Sequence, residues 1–480
     1  MKKITILIIT IITLLVWKPI LGQVPMGEGY YYFDRCQNQF ITPNDCGTNI
    51  WQFDNLARIT FQLMIPLFGD NIHLYMFGQM FIMIIVYLIF YIVLFKITKN
   101  NLFSLIATIL FLTNHTGSFS MMSIGNYQRF VQRVPNLIPI FISFYFLTNF
   151  FKTKNFKFLV ISLVTFTLSI YLAHHSIFML PLFIAYILII AITQKFNIKP
   201  LAINLVALAS FLLIAQALIK NDHLTPKEGI YDFISNTDRV YEKVLLQIPN
   251  ILIPSQITKT IALKFYDPQI LYPYVITQKH ILYLLLPLLI ITFITTKKDD
   301  SISKLYKASI LALPLVCFLN LYAYGTGTPD PLKNFGEDRI YFIPSIFSSL
   351  IIAFLFCNLW NLKGRLMKFV SVVIFISFLI YNNNQIQKDS LKLVENSQKM
   401  EQFINYIKST ITDNKVKVAI VGPAHLMWPN QFLDKFYNTN RNIAFILDSS
   451  DWKELKQSKE FDHVIFVDYV NAKIVETQIK

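Results

Sequence analysis

A chain of 480 residues that is 54% hydrophobic, with a mean hydropathy of +0.48 and only 15% charged residues, is too apolar for a soluble globular domain and reads as an α-helical polytopic membrane protein. The net charge of +15 would suit a nucleic-acid binder, but the basic residues fall in short clusters between apolar runs, as orientation signals do. Nucleic acid is therefore set aside as a partner, and membrane lipids take its place.

Lys2 and Lys3 precede an apolar stretch from Ile4 to Val16. A cleaved signal peptide ending near Leu21-Gly22-Gln23 and an uncleaved first span both fit; the lack of a small-x-small pattern favours the span, and either way Gln23 onward is delivered outside. The segment that follows, 23 to 72, is polar and aromatic and holds the first acids offered there, among them Glu28, Asp34 and Asp54. Asp34 is the leading candidate for a base. It follows Tyr30 to Phe33, and partial burial among aromatics raises a carboxyl pKa toward the range of base chemistry. A solvated loop acid is the alternative. Cys36 and Cys46 share this loop and can pair in an oxidising compartment, whereas Cys317 and Cys357 lie in apolar runs as packing residues. Leu56 to Phe68, interrupted by Pro66 and followed by Gly69, reads as an amphipathic helix at the interface, with Arg58 and His73 as its anchors.

Further apolar runs lie near 73 to 95, 101 to 114, 135 to 151, 157 to 173, 176 to 194, 200 to 219, 280 to 296, 308 to 323, 340 to 360 and 367 to 381. With the first run they make about eleven transmembrane helices. Alternating their direction places on one side the short loops with Lys96 and Lys99; Lys152, Lys154 and Lys157; Lys195 and Lys199; Lys297, Lys298, Lys304 and Lys307; and Lys363, Arg365 and Lys368. All are basic, as the positive-inside rule requires of cytoplasmic loops. The N-terminus is then inside the plasma membrane, and 23 to 72, 115 to 134, 220 to 279, 324 to 339 and the region after Tyr381 are outside. Pro249, Pro254, Pro268 and Pro273 break 220 to 279 into short helices, expected to form a lid.

On the outer side, Arg129 and Arg133 follow the third span and Arg339 stands at the mouth of the tenth, placed either to meet a phosphate at the membrane surface or to act as anchors. His174 and His175 sit between the fifth and sixth spans. Two adjacent histidines on a turn diverge, so a phosphate contact suits them better than a metal. No CxxC or Cys/His metal spacing appears, no metal ligand set is assigned, and no cofactor is identified, with a divalent cation left open. Asn114-His115-Thr116 matches a glycosylation sequon.

From Glu395 the character changes. NSQKMEQFINYIKS has helical spacing, and the runs KVAIVG, NIAFILD and HVIFVDY alternate with QFLDKFY and WKELKQS, which predicts a small three-layer α/β unit with a parallel sheet. VGPAHLMW continues into no nucleotide-binding pattern. The expected organisation is a multi-spanning domain over 1–394, with outside loops 23–72 and 220–279, and an extracytoplasmic α/β domain over 395–480.

The stretches from Ile59 to Arg129 and from Glu337 to Phe356 resemble the multi-spanning GT-C class of glycosyltransferases, in particular the relatives of protein O-mannosyltransferases. Leu67-Phe68-Gly69 is similar to that family's "lfG" turn, Ile109 to His115 to its "llF-x-x-hP" element, and Asp338 to Ser345 to its "eRY-x-Y-lPs" element. Leu172 to Pro181 looks like its "K-E-x-x-x-x-lP" turn with both charges replaced by His174 and His175. The resemblance covers roughly Gln23 to Tyr381. It implies a GT-C-like fold and a transferase that moves a sugar from a polyprenyl-phosphate carrier to an acceptor protein, lipid or glycan at the outer face, with a carboxylate in the first outside loop. Asp34 fits that position, but Arg35 follows it and no second acid adjoins, so Glu28 and Asp54 stand in reserve. Arg339 with Arg129 and Arg133 would stabilise the departing phosphate, Tyr341 would line the same site, and Glu337 and Asp338 would pair with Arg339 or meet the acceptor. A polysaccharide polymerase or ligase would share this topology. A transporter or flippase would show mid-membrane charges and a repeated hydropathy pattern, and a non-catalytic scaffold would use the C-terminal unit to bind a partner.

Overall fold

The computed structural model describes residues 2–23, 60, 63–64, 67–68, 71–118, 130, 133–193, 244–265, 273–296, 300–324, 341–362, 364–410, 418–421, 443–446, 463–468 and 473–478. Twelve helices are seen among them: α1 Lys2–Trp17, α2 Ile72–Thr98, α3 Asn101–Leu112, α4 Leu137–Thr153, α5 Phe156–Leu172, α6 Leu180–Thr193, α7 Gln247–Leu252, α8 Ser255–Phe265, α9 Pro273–Thr295, α10 Ser301–Tyr324, α11 Pro344–Asn361 and α12 Arg365–Thr410. Two 3-10 turns, Lys18–Gly22 and His174–Met179, extend α1 and lead into α6.

Every apolar run singled out in the sequence is helical except 200 to 219, which lies outside the described residues. Seven of these helices are long and apolar enough to cross a membrane, while α3, α4 and α5 are apolar but shorter. At 1.5 Å per residue the 17 residues of α4 and of α5 span about 26 Å, just under a hydrocarbon core of about 30 Å, and the 12 of α3 span about 18 Å. The outward side chains are those a bilayer accepts: Leu284 is 77% exposed, Leu366 69% and Phe81 64%. Inward, aromatic rings fill the bundle, with Phe90 against Phe111 and Phe141, and Phe144 against Phe183 and Tyr186.

Two connections repeat one design. The sequence Thr-Lys-Asn ends α2 at 98–100 and α4 at 153–155, and in both the lysine adopts the left-handed conformation (Lys99 φ 57°, Lys154 φ 59°), its N–H closing on Phe95 O and Phe150 O. The asparagine then caps the next helix, Asn100 Oδ1 accepting from Phe103 N at 2.9 Å and Asn155 Oδ1 from Lys157 N at 3.0 Å. Each turn therefore reverses the chain with both helix ends satisfied. Lys152 Nζ donates to Ile97 O at 3.0 Å, which brings the two turns together at one end of the bundle.

α12 has 46 residues, about 69 Å, more than twice the bilayer core. Its apolar part lies within Arg365–Glu395, and the helix runs on unbroken to Thr410, through the position 394/395 where the sequence changes character. Beyond it four strands, β1 Val418–Val421, β2 Ile443–Ile446, β3 His463–Asp468 and β4 Lys473–Gln478, form one sheet in the order β2-β1-β3-β4. Val418 lies opposite Ile443 and His463 in parallel pairings, and His463 opposite Gln478 in the antiparallel one. The three apolar runs named in the sequence are these parallel strands; β4 adds an antiparallel edge, a common finish to such sheets. The segments expected to supply the helical layers lie outside the described residues.

Candidate functional site

The end of the bundle away from the two lysine turns holds a buried polar junction, built around the turn that follows α3. Asn114 Oδ1 accepts from Thr116 N at 2.9 Å, and Ser118 N closes on His115 O at 3.0 Å. Between them Gly117 sits at φ +78°, in the region that favours glycine. A Cβ at that position would lie 2.4 Å from both N and Cα of Phe342, so the turn is pressed directly on the backbone that enters α11.

Side chains fasten the same contact. Asn114 Nδ2 donates to Ser348 Oγ on α11 at 3.1 Å, and the rings of Phe111 and Phe342 lie 5.7 Å apart. On the other flank His115 N donates to Asn382 Oδ1 of α12 at 3.0 Å, and His115 Nε2 is 2.8 Å from Asp389 Oδ2. Asn382 and Asp389 are seven residues apart, two turns along one face of α12. The His115 and Asp389 side chains are 4% and 16% exposed. With Nε2 as the donor to Asp389, His115 Nδ1 is a buried nitrogen without a hydrogen-bond partner. Closed off from solvent in this way, the pair positions α3, α11 and α12 relative to one another.

The polar layer continues sideways. Asn250 Nδ2 is 3.5 Å from Tyr341 Oη, Gln278 Nε2 donates to Asn250 Oδ1 at 2.7 Å, and Gln247 donates to Cys317 O at 3.0 Å while accepting from Asn320 at 3.3 Å. Thus α7, α9 and α10 join the layer through amides, which add hydrogen-bonding capacity without charge. Nearby in the chain, Asn136 Nδ2 ties the start of α4 to Ser169 O, Ala173 O and Ser176 Oγ around the 3-10 turn.

Of the residues singled out from sequence, Glu28, Asp34, Asp54, Arg129 and Arg339 lie outside the described residues, as do Cys36, Cys46, Arg58, Glu337 and Asp338. Tyr341 is buried at 2% and belongs to the junction. Arg133, one residue before the turn into α4, is 4% exposed, so its guanidinium is held inside the protein. His174 and His175 open the 3-10 turn 174–179, and their side chains are outside the described set. The sequence reading missed Asn382, Asp389, Gln247, Asn250 and Gln278. Asn382 and Asp389 could have been found from their helical spacing in the polar run directly after the last apolar stretch. Among the described residues no three His, Cys, Asp or Glu side chains gather as a metal group.

Asp389→Ala tests the positioning role. It strands a buried imidazole N–H and is expected to lower unfolding stability by about 1–3 kcal/mol, the usual cost of leaving a buried donor unsatisfied. Asp389→Asn, which keeps an acceptor, should cost less than half of that. Equal melting of the two variants in detergent would show that the carboxylate is not what holds the turn.

No family model matches the chain, and no curated protein matches it. Solved structures similar to it include the oligosaccharyltransferase of Archaeoglobus fulgidus in complex with Zn and sulfate, at 10% identity and a TM-score of 0.44, covering 96% of this chain and 68% of that one. The archaeal oligosaccharyltransferase AglB from Archaeoglobus fulgidus, in complex with an inhibitory peptide and a dolichol-phosphate, is similar at 10% identity and a TM-score of 0.46, covering 96% and 69%. At this identity and TM-score the likeness carries no argument about function.

Proposed function

We propose that the chain transfers a sugar from a polyprenyl-phosphate carrier to an acceptor hydroxyl or amide at the outer face of the plasma membrane. One observation supports this most: the family-like element Ile109 to His115 meets the described part of the other, 341 to 345, where the Phe111 and Phe342 rings lie 5.7 Å apart, and just beyond it Ser348 bonds Asn114 across a separation of 234 residues. They meet at the bundle end opposite the basic turns, which is the outer end under the positive-inside rule.

The roles follow from the chemistry of displacement at an anomeric carbon. Asp34 takes the acceptor's proton as its oxygen or nitrogen attacks that carbon; the bond from the carbon to the phosphate oxygen breaks, and the carrier leaves as polyprenyl phosphate. Arg339, two residues before the buried Tyr341, meets the negative charge that develops on the departing phosphate, with Arg129 as a second cation. Residues 1–394 would carry this machinery and 395–480 would stand outside, with the N-terminus inside.

A membrane assay with a labelled polyprenyl-phosphate sugar tests the reading directly. Arg339→Ala is expected to raise KM for the carrier by about tenfold or more, the loss of one charge-assisted hydrogen bond, without lowering the unfolding temperature. A wild-type KM would take Arg339 out of the site. Wild-type membranes that move no label from several such donors to protein, lipid or glycan would remove the transferase reading itself.

A further inference from the structure

We propose that the joint between the two Thr-Lys-Asn turns holds the phosphate of an anionic lipid headgroup. Three lysines converge there from two helices. Lys152 Nζ is tied to Ile97 O at 3.0 Å, Lys96 Nζ lies 5.3 Å from the centre of the Tyr145 ring on α4, and Lys99 follows Lys96 by one helical turn in the left-handed cap. The carbonyl bond and the ring contact hold the two turns against each other, which brings Lys96, Lys99 and Lys152 to the same end of the bundle.

The stretch of chain that carries them brings no acid of its own. From Asn71 to Asn221 the sequence contains neither Asp nor Glu, while the two turns contribute Lys96, Lys99, Lys152, Lys154 and Lys157. Among the described residues the acid at this end of the bundle is Asp300, and its Oδ1 is engaged as the cap of α10, accepting from Ser303 N at 2.7 Å. Like charges gathered on a stretch that brings no acid of its own favour an anion from outside the chain.

The surroundings say which anion. Just beyond the lysines, at the starts of α3 and α5, Leu102, Phe156 and Val160 are 40%, 60% and 42% exposed. An apolar rim beside a cationic joint matches a lipid, which brings acyl chains and a phosphate together, and a soluble phosphate would leave that rim uncovered. The site is separate from the outer polar junction and does not depend on the proposed transfer reaction.

The test uses the full chain released from membranes of mixed phosphatidylglycerol and phosphatidylcholine, with retained lipid read by native mass spectrometry. Wild type is expected to keep phosphatidylglycerol selectively. Lys96→Gln with Lys99→Gln leaves the Lys152 to Ile97 bond intact, so the turns stay folded, and it should weaken retention about 25-fold, at about five-fold per lysine. Lys304→Gln with Lys307→Gln, at the same end but on α10, should retain the lipid as wild type does. The proposal fails if the first double variant binds as wild type, if the α10 variant loses as much, or if excess inorganic phosphate strips the lipid. That last result would show a soluble-phosphate site.

Discussion

Gly117→Ala is expected to lower the unfolding stability of the protein by about 3–5 kcal/mol and to abolish whatever the outer junction supports. Two costs add. At φ +78° an alanine pays about 1–2 kcal/mol for the left-handed conformation alone. Its Cβ would also stand 2.4 Å from Phe342 N and Cα and 2.8 Å from Tyr341 C, and these are backbone atoms that cannot swing away as a side-chain tip can. Relief requires moving the entry to α11, and with it the Asn114 to Ser348 bond and the segment that carries Arg339. Gly364 provides the control. It too has a positive φ, +140°, but nothing lies within 4 Å of its would-be Cβ, so Gly364→Ala should cost only the backbone share, about 1–2 kcal/mol. Thermal unfolding of both variants in detergent separates the terms. Equal losses would mean that the close approach of Gly117 to Phe342 contributes nothing.

The contrast between these glycines shows what a sequence can and cannot disclose. Hydropathy alone located each described membrane helix, because burial in lipid demands long apolar runs and the bilayer gives no other way to satisfy the backbone. The Thr-Lys-Asn turns were legible as basic loops, and the parallel strands as apolar runs bounded by turn residues. The length of α12 was not. Hydropathy falls at Tyr381, yet the helix continues because its two flanks are used: Asn382, Ile386 and Asp389 are turned toward the α3 side, and Gln387 donates to Val16 O of α1 at 2.5 Å while Val394 packs 3.5 Å from the would-be Cβ of Gly22. Tertiary contact supplies what apolar periodicity no longer signals. The His115–Asp389 pair was hidden for the same reason, since its partners are 274 residues apart and no local pattern links them. β4 escaped because an edge strand of six residues, KIVETQ, has too little alternation to stand out.

Asp34→Asn is expected to cut sugar transfer by at least about 100-fold while leaving accumulation, membrane insertion and unfolding temperature unchanged. Asparagine has nearly the same shape and keeps a hydrogen-bonding oxygen. It cannot accept the acceptor's proton, and the attacking atom must then leave that proton to solvent. The charge balance of the proposed reaction sharpens the expectation: in the role proposed for it Arg339 would lower the energy of the leaving phosphate but do nothing for the nucleophile, so a lost base would not be offset from that side. Asp34→Glu keeps the base on a longer arm and should retain part of the rate, because a carboxylate about 1 Å out of place can still take the proton whereas an amide cannot. Glu28→Gln and Asp54→Asn belong in the same assay. If either silences transfer while Asp34→Asn runs at the wild-type rate, the base is that residue and the absence of a second acid beside Asp34 is explained. If all three variants are as active as wild type, none of Glu28, Asp34 and Asp54 takes the proton, and their assignment as the base falls.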